Sequence, residues 1–210
     1  MVTGVIGGAI GEIDNLGKAL FSFNPSKVEK SFANNPDGLL NHIVKVLNPR
    51  GLVRKTPRSI WPKYCTTILS SAAFFGNFKD GEDFYDWANQ LYQNQRSMAA
   101  LPMILAAEVD GIGYSLACDF LKELGFVNYG KPDVHVIEIF VGIGLCKQGV
   151  NPYHVQKIIS KIASAADVSS YNVDKLFWLI GSGNFYNHAE LGNMGLIGQN
   201  KEKFIAEFNA

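Results

Sequence analysis

The strongest constraint on the fold is the stretch Val109-Asp110-Gly111-Ile112-Gly113-Tyr114-Ser115-Leu116-Ala117. A run with helical apolar spacing, Met98 to Glu108, enters it, and a second, Tyr114 to Leu124, leaves it. A sharp turn between two helices needs residues that accept φ > 0 and let a second backbone come close, and glycine does both. Gly111 and Gly113 bracket one apolar residue, Ile112, placed to plug the gap between the helices, and Ala117 is small where they should cross. The amides around Gly113 and Tyr114 are then left unpaired at a helix N-terminus, where an anion such as a phosphate is favoured. The residues alone leave a plainer reading open, an ordinary interhelical turn.

The rest of the chain is also patterned for helices. Asn24-Pro25-Ser26 is a helix start, with a cap and then Pro at the first helical position, and the helix runs to about Phe32. Asn34-Asn35-Pro36-Asp37 is a break, with Asp37 expected to cap the next helix, whose apolar positions are Leu39, Leu40, Ile43, Val44 and Leu47. Trp61 to Phe75 is a long helix, and Asp80-Gly81-Glu82 opens another with Phe84, Trp87 and Leu91 facing inward. Asn151-Pro152 starts a helix to Ala165, Val173 to Gly181 is a long apolar helix, and Lys201 to Phe208 is a short one. The run from Val134 to Val141 has strand-like β-branched residues but is flanked by helices, and we read it as a buried helix. Gly142-Ile143-Gly144 reads as a helix C-terminus rather than a second hairpin. The expectation is an all-α chain, one domain over residues 1–210 in two lobes with a cleft between them, with the hairpin at 105–121.

With 210 residues, 47% hydrophobic and 18% charged, the chain can bury a real core. Lys+Arg 19 balances Asp+Glu 19, so any anionic partner must be held by local clusters rather than by net charge. The most basic stretch is Arg50 to Arg58, followed by Lys63. It is either a solvated loop or a patch along a phosphate backbone. Cys65, Cys118 and Cys146 are far apart and in apolar context, as buried free thiols in a reducing, cytoplasmic compartment would be. His42, His135, His154 and His188 are scattered, and no metal-ligand spacing appears. Met1 to Ile10 is apolar but has no preceding cation and is cut short by Glu12 and Asp14. It reads as a packed or mobile segment, neither a signal peptide nor a membrane span.

The pattern from Leu105 to Ala117 resembles the helix-hairpin-helix of DNA-repair proteins. A second segment extends the likeness. Lys131-Pro132-Asp133-Val134-His135-Val136 stands where the HhH-GPD superfamily of base-excision DNA glycosylases carries its catalytic Asp, at 133 − 113 = 20 residues past the second hairpin glycine. The likeness is clearest from Trp61 to Gly181, and the Leu-Phe-Trp-Leu-x-Gly ending at Gly181 is similar to the final core helix of these enzymes. The four-cysteine iron–sulfur loop of many members is absent, since no cysteine follows Cys146.

The resemblance implies a set of roles. Asp133 would stabilise an oxocarbenium-like sugar and orient or deprotonate a water. Gly111, Ile112, Gly113 and Ser115 would grip the DNA backbone, and the turn carbonyls would hold a monovalent cation. Ser70 and Ser71 look like the short polar motif that enters the gap left by the extruded base. Trp61, Tyr64, Trp87 and Tyr114 are candidates to stack on that base, with core packing as the alternative for each. Lyase members carry a Lys two residues past the second hairpin glycine, and here that residue is Ser115. A monofunctional, monomeric enzyme that uses water is therefore expected, with Lys131 the one lysine close enough in sequence to restore lyase chemistry. Adenine-mismatch members have a small hydroxyl at that position too, but also a glutamate on the first long helix, and Tyr64 to Phe75 contains no acid. Two rival readings remain: a non-catalytic DNA-binding module in which Asp133 is only a helix cap, and a helical protein with no nucleic-acid role.

Overall fold

The structure, a computed structural model, describes residues 2–11, 13–94, 96–183, 198 and 200–210, with the backbone alone for 2–5. The glycine- and asparagine-rich segment after Gly183, including His188, lies outside the described residues apart from 198 and 200. The described residues form twelve helices and no strand. None of these helices is long and apolar enough to cross a membrane. The chain divides into two compact units, residues 1–112 and 113–210, and the division falls inside the hairpin between Ile112 and Gly113.

The first unit holds α1 (Val2–Ile10), α2 (Ile13–Ala19), α3 (Pro25–Phe32), α4 (Pro36–Leu47), α5 (Ile60–Phe75), α6 (Gly81–Tyr92) and α7 (Ala100–Glu108). Its core is built on α5, which packs against α3 and α4. Trp61, Cys65 and Leu69 of α5 meet Leu39, Leu40 and Ile43 of α4 and Val28 of α3 there. Ile6, Ile10 and Leu16 join the same core. This burial explains why the amino-terminal stretch to Ile10, expected to be a packed or mobile segment, forms α1 in spite of its glycines, since tertiary packing overrides weak propensity. A second cluster is aromatic: the Trp87 ring lies 6.0 Å from Phe74, 5.3 Å from Phe78 and 5.8 Å from Phe84.

Short polar side chains set the helix starts. Asn24 accepts from the Lys27 amide at 2.9 Å, with Pro25 in the first helical position. At α4 the cap is Asn35, which accepts from the Gly38 amide at 2.8 Å, not Asp37 as the sequence suggested. Pro36 occupies the first helical position, so the cap must precede it. Asp37 instead sits in the first turn, where its charge suits the helix dipole.

The second unit holds α8 (Tyr114–Glu123), α9 (Val134–Gly142), α10 (Pro152–Ala165), α11 (Ser170–Ser182) and α12 (Lys201–Phe208). Val136, Ile139 and Phe140 of α9, Val155 and Ile159 of α10 and Val173 of α11 make its core. Helix α11 starts three residues earlier than its apolar run suggests, because Ser169 caps it by accepting from the Asn172 amide. A Cβ at Gly181 would come within 2.7 Å of the His135 Cβ. The glycine is thus what lets α11 lie close against α9, one turn from the Asp133 cap.

Candidate functional site

Gly111 has φ +81, a left-handed conformation that favours glycine. A Cβ built there would meet the Thr67 Oγ1 at 2.6 Å, so the turn also comes close to α5. The neighbouring Asp110 amide donates to the Ser70 Oγ at 2.9 Å. Ser70, singled out as a gap-filling residue, is thereby spent on holding the hairpin, and Thr67, which sequence reasoning passed over, limits what the turn can carry. The carbonyls of Asp110, Gly111 and Ile112 accept no hydrogen bond from the described residues. Unpaired carbonyls are the type of oxygen that a monovalent cation takes.

Gly113 differs from Gly111. Its φ is −84 and a Cβ there meets nothing within 4 Å. It caps α8 with no side-chain hydrogen bond to the first-turn amides. Its glycine therefore answers neither a left-handed backbone nor a crowded neighbour. Ala117 is fully buried, as its small size at a crossing suggested.

Two residues on, the Ser115 Oγ donates to the Pro132 carbonyl at 2.7 Å. That bond joins α8 to the segment carrying Asp133, and so brings together two residues separated in sequence. Asp133 is extended, φ −89 and ψ −178, and caps α9. Its Oδ1 accepts from the His135 amide at 3.0 Å and the Val136 amide at 3.1 Å. Its Oδ2 accepts no hydrogen bond from the described residues. The carboxylate is half-buried, with one oxygen fixed and one spare.

The lysines nearby are committed. Lys131 pairs with Asp119 at 2.8 Å. Lys122, only 4% exposed, pairs with Asp119 at 2.8 Å and with the buried Asp174 at 2.7 Å, and lies 5.4 Å from the centre of the Tyr171 ring. Burial acts to raise the Asp119 carboxyl, but hydrogen bonds from Lys122 and Lys131 overcome it and hold the group below its ordinary value. Burial likewise opposes the Lys122 charge, and Asp174 and Asp119 raise it above the usual lysine value. This is a charge cluster that ties α8 to α11 and to the approach to Asp133.

The remaining sequence candidates are dispersed. Trp61 is 4% exposed inside the core of the first unit and presents no free ring face. Trp87 belongs to the aromatic cluster around Phe78. Tyr114 is half-buried, edge-on to Tyr153 at 6.0 Å, and burial followed by the neighbouring Cys118 pushes its phenol up. Tyr64 and Ser71 line an apolar cavity on α5. The cysteines are free, and burial raises the Cys65 thiol to about 12. Arg50, Arg54, Lys55, Arg58 and Lys63 are all exposed. Comparison with protein-family models, curated proteins and solved structures gives no match.

Proposed function

We propose that the protein is a DNA base-excision glycosylase with the HhH-GPD fold. In this reading it acts as a monomer inside the cell and hydrolyses the N-glycosidic bond of an extruded base with water as the nucleophile. The observation that carries the reading is the divided role of Asp133. Oδ1 alone takes both helix amides, and Oδ2 is spare. A carboxylate held in this way has a fixed orientation and an oxygen free to face developing positive charge at C1′. Water adds to C1′ as the C1′–N bond breaks. One water proton stays on the new hydroxyl and the other ends on the departing base.

The other residues fit around that step. Ser115 offers no amine, and its bond to the Pro132 carbonyl steadies the residue before Asp133. The first turn of α8, which no side chain caps, suits a phosphate. The carbonyls of Asp110 to Ile112 would hold a monovalent cation, which would supply positive charge beside the DNA backbone. The exposed cations from Arg50 to Lys63 suit further phosphates and leave the neutral net charge unimportant.

A non-catalytic DNA-binding module is the second reading. It is favoured by the same two amide bonds, which account for Asp133 without chemistry. Asp133→Asn separates the two, because Asn caps about as well as Asp but carries no charge. On a panel of lesion-containing duplexes, single-turnover excision should slow by roughly 10²–10⁴-fold while the melting temperature holds. Equal rates for wild type and variant would remove Asp133 from the reaction. Salt-dependent binding without excision of any base in the panel would favour the module. Borohydride in the same reactions should trap no covalent adduct, since Ser115 replaces the lyase lysine and Lys131 is held by Asp119; an adduct would overturn the water mechanism.

A further inference from the structure

In the first unit, α5 turns one face towards a cavity of about 430 Å³. Tyr64, Thr67, Ser71 and Phe75, spaced along that face, form one wall, and Leu20, Phe23 and Val28 form the opposite one. None of the described residues that line it carries a charge. The volume is roughly three times the ~150 Å³ that holds one benzene ring in an apolar protein cavity, and it lies within the usual range for ligand pockets. The polar groups among these residues are three hydroxyls, all on the α5 wall.

The turn at its edge has an unusual backbone. Phe21, Ser22 and Phe23 are all left-handed, with φ of 52, 56 and 59. None is glycine, and a run of three such residues is unfavourable for L-amino acids. It is held by the Ser22 amide donating to the Gly17 carbonyl at 2.8 Å and by the Phe23 ring resting on Gly17, where a Cβ would come within 3.0 Å of the ring. The result is a Phe23 side chain that is 47% exposed yet lines the cavity. Backbone strain of this kind gathers at ligand clamps.

We propose that this cavity binds a neutral, largely apolar small molecule of about two fused rings bearing a hydrogen-bonding group, with Phe23 closing over it. Neutrality follows from the uncharged lining, since a buried charge would have no partner. The hydrogen-bonding group follows from the hydroxyls of Tyr64 and Ser71 on one wall, since the Thr67 hydroxyl already donates to the Lys63 carbonyl. The site lies wholly in the first unit and does not depend on the DNA reading.

The test uses the full-length protein and 2-naphthol, with 1-naphthalenesulfonate as a charged molecule of the same ring size. Saturable binding of 2-naphthol in the range of about 1–100 µM is expected, with the sulfonate at least about tenfold weaker. Ala72→Phe, which places a ring in the cavity, should weaken 2-naphthol at least about tenfold. Methyl resonances of Leu16, Leu20, Val28 and Ile68 should shift on saturation of the wild type. This readout decides the matter if the variant does not fold. Absence of saturable binding, equal binding by a folded Ala72→Phe, or shifts centred on other methyls would overturn the site. Equal affinity for the sulfonate would overturn the neutral class.

Discussion

Replacing Gly111 by Ala tests the hairpin geometry at a single atom. An alanine there must adopt φ +81, which costs about 1–2 kcal/mol for an L-residue. Its Cβ also falls 2.6 Å from the Thr67 Oγ1. That hydroxyl donates to the Lys63 carbonyl at 3.1 Å on a stiff β-branched side chain, so it does not simply swing away. Overpacking of this kind costs about 1–3 kcal/mol. Gly111→Ala should therefore destabilise by about 2–5 kcal/mol. Thr67→Ala alone should change stability by no more than about 0.5 kcal/mol, since it gives up a bond within its own helix and gains helix propensity. In the double variant the nearest surviving atom is the residue 67 Cβ, at 3.9 Å, an ordinary contact. The clash is gone and only the backbone strain remains, so about 1–3 kcal/mol should return. Urea denaturation of the four proteins measures the coupling. Strictly additive losses would show that the Thr67 hydroxyl is not what Gly111 makes room for.

Gly113→Val should fold normally, because its Cβ enters open space, yet lose about tenfold or more in DNA affinity on unrelated sequences alike. Fluorescence anisotropy on two duplexes checks this, and unchanged binding by the folded variant would count against the hairpin as the grip. Asp119 is held below its ordinary value in the folded state, so the stability it contributes is present above the unfolded carboxylate range and lost as pH falls through the folded value. The urea midpoint should drop more steeply below about pH 4 in wild type than in Asp119→Asn. Asp174→Ala strips the buried Lys122 of one of its two close carboxylates and should cost about 3–5 kcal/mol, whereas the paired change Lys122→Met with Asp174→Leu should cost less than that single change by urea denaturation.

Local chemistry made most of the helices legible. Caps followed by proline at Asn24 and Asn151, and apolar spacing in α4, α5 and α10, mark elements through residues close in sequence, while at the start of α4 the acid in the first turn, Asp37, masks the true cap, Asn35. The left-handed turn at Gly111 was legible for the same reason. Its supports were not, because Ser70 is 40 residues from the amide it receives and Thr67 carries no motif. Ser115 and Asp133 each stood out alone, but the bond through Pro132 that joins them depends on where α8 ends up. The pairing of Lys122 with Asp174 spans 52 residues and surfaces only once α8 meets α11. The left-handed turn at Phe21 to Phe23 has no glycine to announce it, and the two helices before it depend on burial that no local propensity reports.

The asparagine caps carry a chemical consequence beyond folding. Asn24, Asn35 and Asn151 each cap a helix through a side-chain amide, and each is followed directly by proline. Deamidation proceeds when the backbone nitrogen after an asparagine closes a ring on the side-chain carbonyl. A proline nitrogen has no hydrogen to lose, so that route is closed at all three starts. The cap of α6 is Asp80, followed by Gly81, the pairing most prone to the corresponding aspartate rearrangement. On long storage at warm, mildly acidic pH, where a protonated carboxyl can give up its hydroxyl to the ring closure, α3, α4 and α10 keep their starts, while wear among the caps begins where α6 leads into Phe84 and Trp87.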